Sequence, residues 1–242
     1  MRSTKRIVIA GRKGGTGKTA LCLGLAAVFF RTGRRVLVVD LDPQGSASLA
    51  LGAAADGEHL AAVLNGTAAP EPAEVAGGIL LLAGGPALES LTDPRPLLDV
   101  LAERSGADEA FPNWPRPDVV LVDCPPGHPT LDRLAMSGAD AVLVATEPHR
   151  LAIAGAARVL DEAKALRPIP RCAVVLGRMD PRRGLDRAAP ELLAGAFNAT
   201  VLAIHQDTAL AAALNAGELP PEHGRAADDL RAVAAWLNLF KP

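Results

Sequence analysis

Seven consecutive residues, Lys13-Gly14-Gly15-Thr16-Gly17-Lys18-Thr19, are of the types that wrap a phosphate. Glycines let backbone N–H groups converge on the oxygens, and a helix starting behind them adds positive potential. In such a loop Lys18 is placed to pair with outer phosphate oxygens, and the Thr19 hydroxyl to ligate Mg²⁺. The general pattern G-x-x-x-x-G-K-[ST] is not met in full. Its first glycine would fall on Arg12, with Gly11 one place early. A second lysine, Lys13, stands where an ordinary phosphate loop needs none.

Two acidic motifs accompany the loop. One apolar run ends in Asp40-Leu41-Asp42-Pro43-Gln44-Gly45, and another in Asp123-Cys124-Pro125-Pro126. An Asp closing one apolar run is usually a turn signal. Here both motifs, like the glycine-rich loop, fall at the C-terminal ends of strands, where open α/β sheets place ligands. Mg²⁺ keeps several of its waters, and carboxylates are the acceptors that hold them.

The elements that position these residues alternate in type. Apolar runs Ile7–Ala10, Val36–Val39, Ile79–Leu82, Val119–Val122, Ala141–Val144 and Ala173–Leu176 read as strands covered on both faces, and Thr200–Ala203 closes the series. Helical patterns run from Thr19 to about Arg31, over Leu151–Leu166 and over Leu185–Phe197. The alternation predicts a doubly wound, mostly parallel α/β sheet flanked by helices. Gly66–Gly77 and Arg104–Pro117, rich in Pro and small residues, are expected to be the least ordered stretches. With neither repeat nor break, 1–242 is expected to be one domain. The first strand begins too early for an added N-terminal helix-turn-helix.

The loop with its extra lysine resembles the deviant Walker A motif, K-G-G-x-G-K-[ST], of the ParA/MinD family of P-loop ATPases. Asp40–Gly45 is similar to that family's D-x-D-P-Q-G, and Asp123–Pro126 to its Walker B strand end. The resemblance extends through Glu147-Pro148 and through Val175–Asp180, similar to the segment bordering adenine. It continues to Ile204-His205-Gln206-Asp207, similar to the last nucleotide-facing loop of small plasmid-type partition proteins. It implies an ATP- and Mg²⁺-binding site. Gly14, Gly15, Thr16, Gly17, Lys18, Thr19 and Ala20 would surround the phosphates, and Arg178, Asp180, His205 and Gln206 the base. Thr19, Asp40 and Asp123 would organise the metal and its waters. Where the family often has a second Thr, this chain has Ala20, which removes a hydroxyl from the α-phosphate. The resemblance further implies an ATP-dependent sandwich homodimer. Lys13 would cross to the partner's phosphates, Lys18 would serve its own nucleotide, and Asp42 would position the attacking water. It also implies non-specific binding to nucleoid DNA and a ParB-like or cargo-adaptor protein that stimulates slow hydrolysis. Arg182, Arg183 and Arg187 are the leading DNA-binding candidates, with Arg225 and Arg231 as a second group.

Composition narrows the remaining classes. A net charge of −2 gives no global attraction to nucleic acid, so any such binding needs a local patch. Five Phe, two Trp and no Tyr make a base-stacking platform unexpected and leave a tyrosine autokinase nothing to modify. The three scattered cysteines provide neither a disulfide framework nor the pairs an iron–sulfur carrier needs. A ligase of the dethiobiotin-synthetase type would have no use for Lys13. No apolar run approaches a membrane span, and no leader precedes the first strand, so a cytoplasmic location is expected. A MinD-like membrane ATPase is the alternative. The tail Ala234–Lys241 holds a single Lys, whereas an interfacial anchor is rich in basic residues, so a core-packing terminal helix is expected.

Overall fold

The computed structural model describes residues 4–91, 94, 95, 97 and 116–237. Its centre is an eight-stranded sheet in the order β3-β4-β2-β5-β1-β6-β7-β8. The strands are β1 (Lys5–Ala10), β2 (Val36–Asp40), β3 (Ala73–Val75), β4 (Ile79–Leu82), β5 (Val119–Asp123), β6 (Ala141–Thr146), β7 (Arg171–Met179) and β8 (Thr200–His205). All neighbours run parallel except β3, which pairs antiparallel with β4 at one edge. The doubly wound reading therefore holds. It missed β3, which is three residues long, partly exposed, and set in the Gly66–Gly77 stretch expected to be irregular. So short an edge strand leaves no period in the sequence. The other stretch expected to be irregular, Arg104–Pro117, lies almost wholly outside the described residues.

Eight helices cover the sheet among the described residues: α1 (Lys18–Arg31), α2 (Ser46–Ala50), α3 (Glu58–Leu64), α4 (Pro129–Met136), α5 (Arg150–Lys164), α6 (Gly184–Phe197), α7 (Thr208–Asn215) and α8 (Arg225–Leu237). Side chains alternate across β1 to feed two cores. Val8 and Ala10 meet α3, α4, α5 and α6 on one face. Ile7 and Ile9 meet α1, α7 and α8 on the other. Each fully buried Leu, Ile or Val contributes about 1.5–3 kcal/mol, which is why the central strands read as unbroken apolar runs. In α8, Leu230, Val233 and Leu237 are buried and Trp236 lies beneath the Arg171 guanidinium, 4.4 Å from ring centroid to Cζ. The described part of the tail is thus core packing, as expected. Asn238–Lys241 fall outside the described residues.

The arrangement positions the site through strand ends. β1, β2 and β5 are adjacent, and their shared register places Asp40 beside Asp123. The loop from Gly11 to Gly17 leaves β1 at the same end and enters α1.

Candidate nucleotide site

Gly17 precedes α1 at φ 87°, a left-handed conformation that a side chain would strain. It turns the chain so that Lys18 opens the helix with its side chain directed into the loop. Lys18 is buried, and its Nζ donates to the Lys13 carbonyl at 3.2 Å. Thr16, also buried, donates to the same carbonyl at 3.3 Å. Lys13 points the other way. Its Nζ is half exposed, 3.2 Å from Glu147 Oε2 and 2.7 Å from His149 Nε2. His149 also accepts the Ala152 N–H through Nδ1 at 3.4 Å, capping α5. A neutral imidazole has one acceptor nitrogen, so the lysine contact and the cap compete.

The acidic groups form a second layer. Thr19 Oγ1 donates to Asp123 Oδ2 at 2.7 Å, while Asp123 Oδ1 is buried without a hydrogen bond. Burial, reinforced by the nearby Asp40 charge, pushes the Asp123 carboxyl up to about 8. A buried carboxylate with an orphaned oxygen, beside a hydroxyl and another carboxylate, is a set of hard donors suited to a divalent cation. Among the described residues no three His, Cys, Asp or Glu side chains form a cage. Mg²⁺ is held by few protein groups together with phosphate and water. Thr19 and Asp123 would hold it directly or through its waters.

Asp40 is differently employed. Its Oδ2 accepts from Ser48 N and Oγ, both at 2.8 Å, and its Oδ1 accepts from Asp42 N at 3.1 Å. Burial raises its pKa, while the Ser48 and Asp42 hydrogen bonds work against the rise. These bonds tie α2 and the Asp42 turn to the strand end. Asp42 in turn accepts from Gln44 N at 2.9 Å through Oδ1, and its Oδ2 has no partner among the described residues. That oxygen is an acceptor free for a water.

Beside the loop lies a cavity of 370 Å³ whose wall includes Thr16, Gly17, Ala20, Arg178, His205 and Gln206. Its lining is mainly apolar, as a base site requires. Asp180, expected at the base, stands outside this cavity. Hydrogen bonds from the Arg182 side chain and backbone hold it down at about 2. Arg178 adopts φ 56°, unusual for a side-chain-bearing residue, and its Nη1 reaches the Gly15 carbonyl at 3.4 Å. His205 is oriented by Asp229, whose Oδ2 accepts from the backbone N and meets Nδ1, both at 2.8 Å.

Several participants escaped the sequence reading. Glu147 and His149 hold Lys13 although no spacing links residues so distant. Ser48 and Asp229 act only through contacts that folding creates. Leu210, Ala211 and Leu214, which complete the cavity wall, look in the sequence like any Ala/Leu helix.

A strand, a glycine-rich loop and a helix around one buried lysine, with acids at the ends of the adjacent strand β5 and of β2 beyond it, define a P-loop nucleotide-binding fold. Residues 7–220 match the family model described as the CobQ/CobB/MinD/ParA nucleotide binding domain. The chain belongs to this family of P-loop ATPases. It is 30% identical to the chromosome partitioning protein ParA of Myxococcus xanthus over 211 residues, 82% of this chain and 73% of that protein. It is 34% identical to the chromosome-partitioning ATPase Soj of Thermus thermophilus over 156 residues, 64% of this chain but 60% of the relative. Among solved structures, the septum site-determining protein MinD of Pyrococcus horikoshii, complexed with Mg-ADP, shares the fold at a TM-score of 0.79. That likeness is at 24% identity and covers 98% of this chain and 96% of the other.

Proposed function

We propose that this chain is a ParA-like positioning ATPase that closes as a sandwich dimer on ATP, binds nucleoid DNA without sequence preference, and is reset when a ParB-like or cargo-adaptor partner stimulates hydrolysis. The observation that carries the reading is the divergence of the two loop lysines. Lys18 is buried and faces its own phosphate cradle; Lys13 is half exposed and faces away from it. A monomeric enzyme gains little from a loop lysine that looks outward. The exposed Leu151 and Leu185 support the same face as an interface, since Leu151 follows His149 closely and Leu185 lines a hollow with Glu147, His149 and Arg178.

In this reading Lys18 and the loop N–H groups bind the phosphates, and Asp42 orients the attacking water with its free oxygen. Asp40 acts through Asp42 by fixing its turn. Mg²⁺, when bound, neutralises charge on the phosphate oxygens. Phosphoryl transfer needs mainly positioning and charge stabilisation, so this small set suffices for slow turnover. Asp42→Ala is therefore expected to bind ATP normally and accumulate as an ATP-bound dimer. Its hydrolysis should fall by about a hundredfold or more. Phosphate release and light scattering on the same sample read both quantities. Wild-type turnover would move the water-positioning role elsewhere.

Arg182 is exposed but its charge is engaged by Asp180 at 2.8 Å, and Arg187 donates to the Pro181 carbonyl at 3.3 Å. The Arg183 side chain makes no hydrogen bond or ion pair among the described residues, although its charge helps hold down the Asp180 carboxyl. Arg182→Glu with Arg183→Glu is expected to weaken binding to any duplex by about tenfold or more, and to flatten its salt dependence. Fluorescence anisotropy at two salt concentrations checks this. Intact binding would shift attention to Arg225 and Arg231. Cosedimentation with DNA and with liposomes, each with and without ATP, separates this reading from a MinD-like membrane ATPase. Among the described residues no helix is long and apolar enough to cross a membrane.

A further inference from the structure

Asp132 on α4 has no exposed side-chain surface, and neither carboxylate oxygen has a hydrogen bond. A buried charge in that state is costly unless a counter-charge faces it. The facing group is Arg12, whose Nη1 lies 3.6 Å from Asp132 Oδ2. The same guanidinium donates through Nη2 to Glu162 on α5, 2.5 and 2.6 Å from its two oxygens. The arginine stem runs over Gly155 on α5, where an added Cβ would stand 3.2 Å from Arg12 Cβ. The helix is therefore cut away where the arginine crosses it.

This triad joins three parts of the site. Arg12 immediately precedes Lys13. α4 continues the segment that follows Asp123, and α5 continues the segment that carries Glu147 and His149, the groups on which Lys13 rests. One side chain thus connects the lysine's own backbone to both loops that flank it. The geometry points to Arg12 as the positioning residue for Lys13, with the buried carboxylate of Asp132 as the ionisable anchor that fixes it. This inference rests on the reading of Lys13 as the interface lysine, and it concerns where that lysine stands before nucleotide arrives.

The anchor responds to pH. Burial pushes the Asp132 carboxyl up to about 7, against the pull of Arg12 and Lys18, and Glu162 adds to the rise. The Cys124 thiol is a further titratable neighbour, itself raised by burial and by the Asp132 charge. As pH rises through about 7 the carboxylate ionises and gains its attraction for Arg12. Below that value Arg12 is held by Glu162 alone, and the loop has one tether in place of two.

The test measures the position of Lys13 without requiring nucleotide or dimer. Wild type, Asp132→Asn, Arg12→Gln and Arg12→Lys are pulsed with acetic anhydride at pH 6 and at pH 8. Mass spectrometry then gives labelling of Lys13 relative to Lys5 in the same sample. In wild type the ratio should differ between the two pH values by about threefold, the scale of a partly exposed ion pair. Asp132→Asn should lose that difference. His149 stands in both proteins, so the contrast isolates Asp132. Arg12→Gln should shift the ratio at both pH values, and Arg12→Lys should restore part of it. Should Arg12→Gln fail to fold, Arg12→Lys and the isosteric Asp132→Asn carry the comparison. Unchanged ratios in the variants overturn the proposal. Light scattering with a non-hydrolysable ATP analogue adds the functional arm. Arg12→Gln should weaken dimerisation by about tenfold or more, with ATP affinity held within about threefold. Wild-type dimerisation by Arg12→Gln, alongside a monomeric Lys13→Ala, also overturns it. If Lys13→Ala itself dimerises, the sandwich reading fails, and the labelling ratios still decide the positioning role.

Discussion

In titration calorimetry, Lys18→Ala is expected to give no measurable ATP binding at concentrations where the wild type saturates. Lys18 opens α1, is almost wholly buried, and directs Nζ at the interior of the loop, where among the described residues the Lys13 carbonyl alone accepts from it. A nucleotide phosphate would replace that neutral acceptor with a charged one. Charge-assisted hydrogen bonds are worth about 1.5–3 kcal/mol each, so losing two weakens affinity by at least about a hundredfold. The substitution also removes a charge that holds down the Asp123 carboxyl, already pushed up to about 8. Asp123 would then be a poorer acceptor for Mg²⁺ and its waters, adding to the loss. Circular dichroism of the variant keeps a folding failure apart from a binding defect. Unchanged ATP affinity in a folded variant would sink the phosphate-loop assignment.

What the sequence made legible follows from the range of the forces involved. The strands were readable because β1, β2, β5 and β6 are buried on both faces and show as short apolar runs. The loop lysines and strand-end acids were readable because backbone geometry fixes them within a few residues of a strand or helix terminus. Nothing local marks Asp132 as different from any acid in the first turn of a helix, yet folding strips it of water and sets it against Arg12. Arg12 itself looked like a mere departure from the phosphate-loop pattern, and its partners lie 120 and 150 residues further on. Asp180 is a further case: it closes the segment expected to border the base, and in the structure its carboxylate is paired with Arg182 in a hollow that it shares with His205 and Gln206. Interactions made by tertiary contact alone leave no period, spacing or composition to read.

Lys13→Ala is expected to bind ATP with near wild-type affinity and yet remain monomeric. Hydrolysis and DNA binding would then be lost together. The magnitudes favour release of Lys13 from its resting place. Its contact with Glu147 is partly exposed, and such pairs are worth about 0–1 kcal/mol. Its contact with His149 competes with the cap of α5, so letting go costs little there. Against that, a charge-assisted contact to a partner's phosphate is worth about 1.5–3 kcal/mol, and symmetry makes two of them. Two contacts of this size change a dimerisation constant by about a hundredfold or more, even after the resting pairs are given up. In the proposed dimer the two lysines would face each other and repel without nucleotide, so the same residue would oppose the dimer until ATP supplies the opposite charge. Light scattering of wild type and variant, with ADP and with a non-hydrolysable ATP analogue, checks the prediction. Wild type should double in mass only with the analogue, and the variant with neither. A variant that dimerises as the wild type does would remove the role in trans from Lys13, leaving its outward orientation without a functional account.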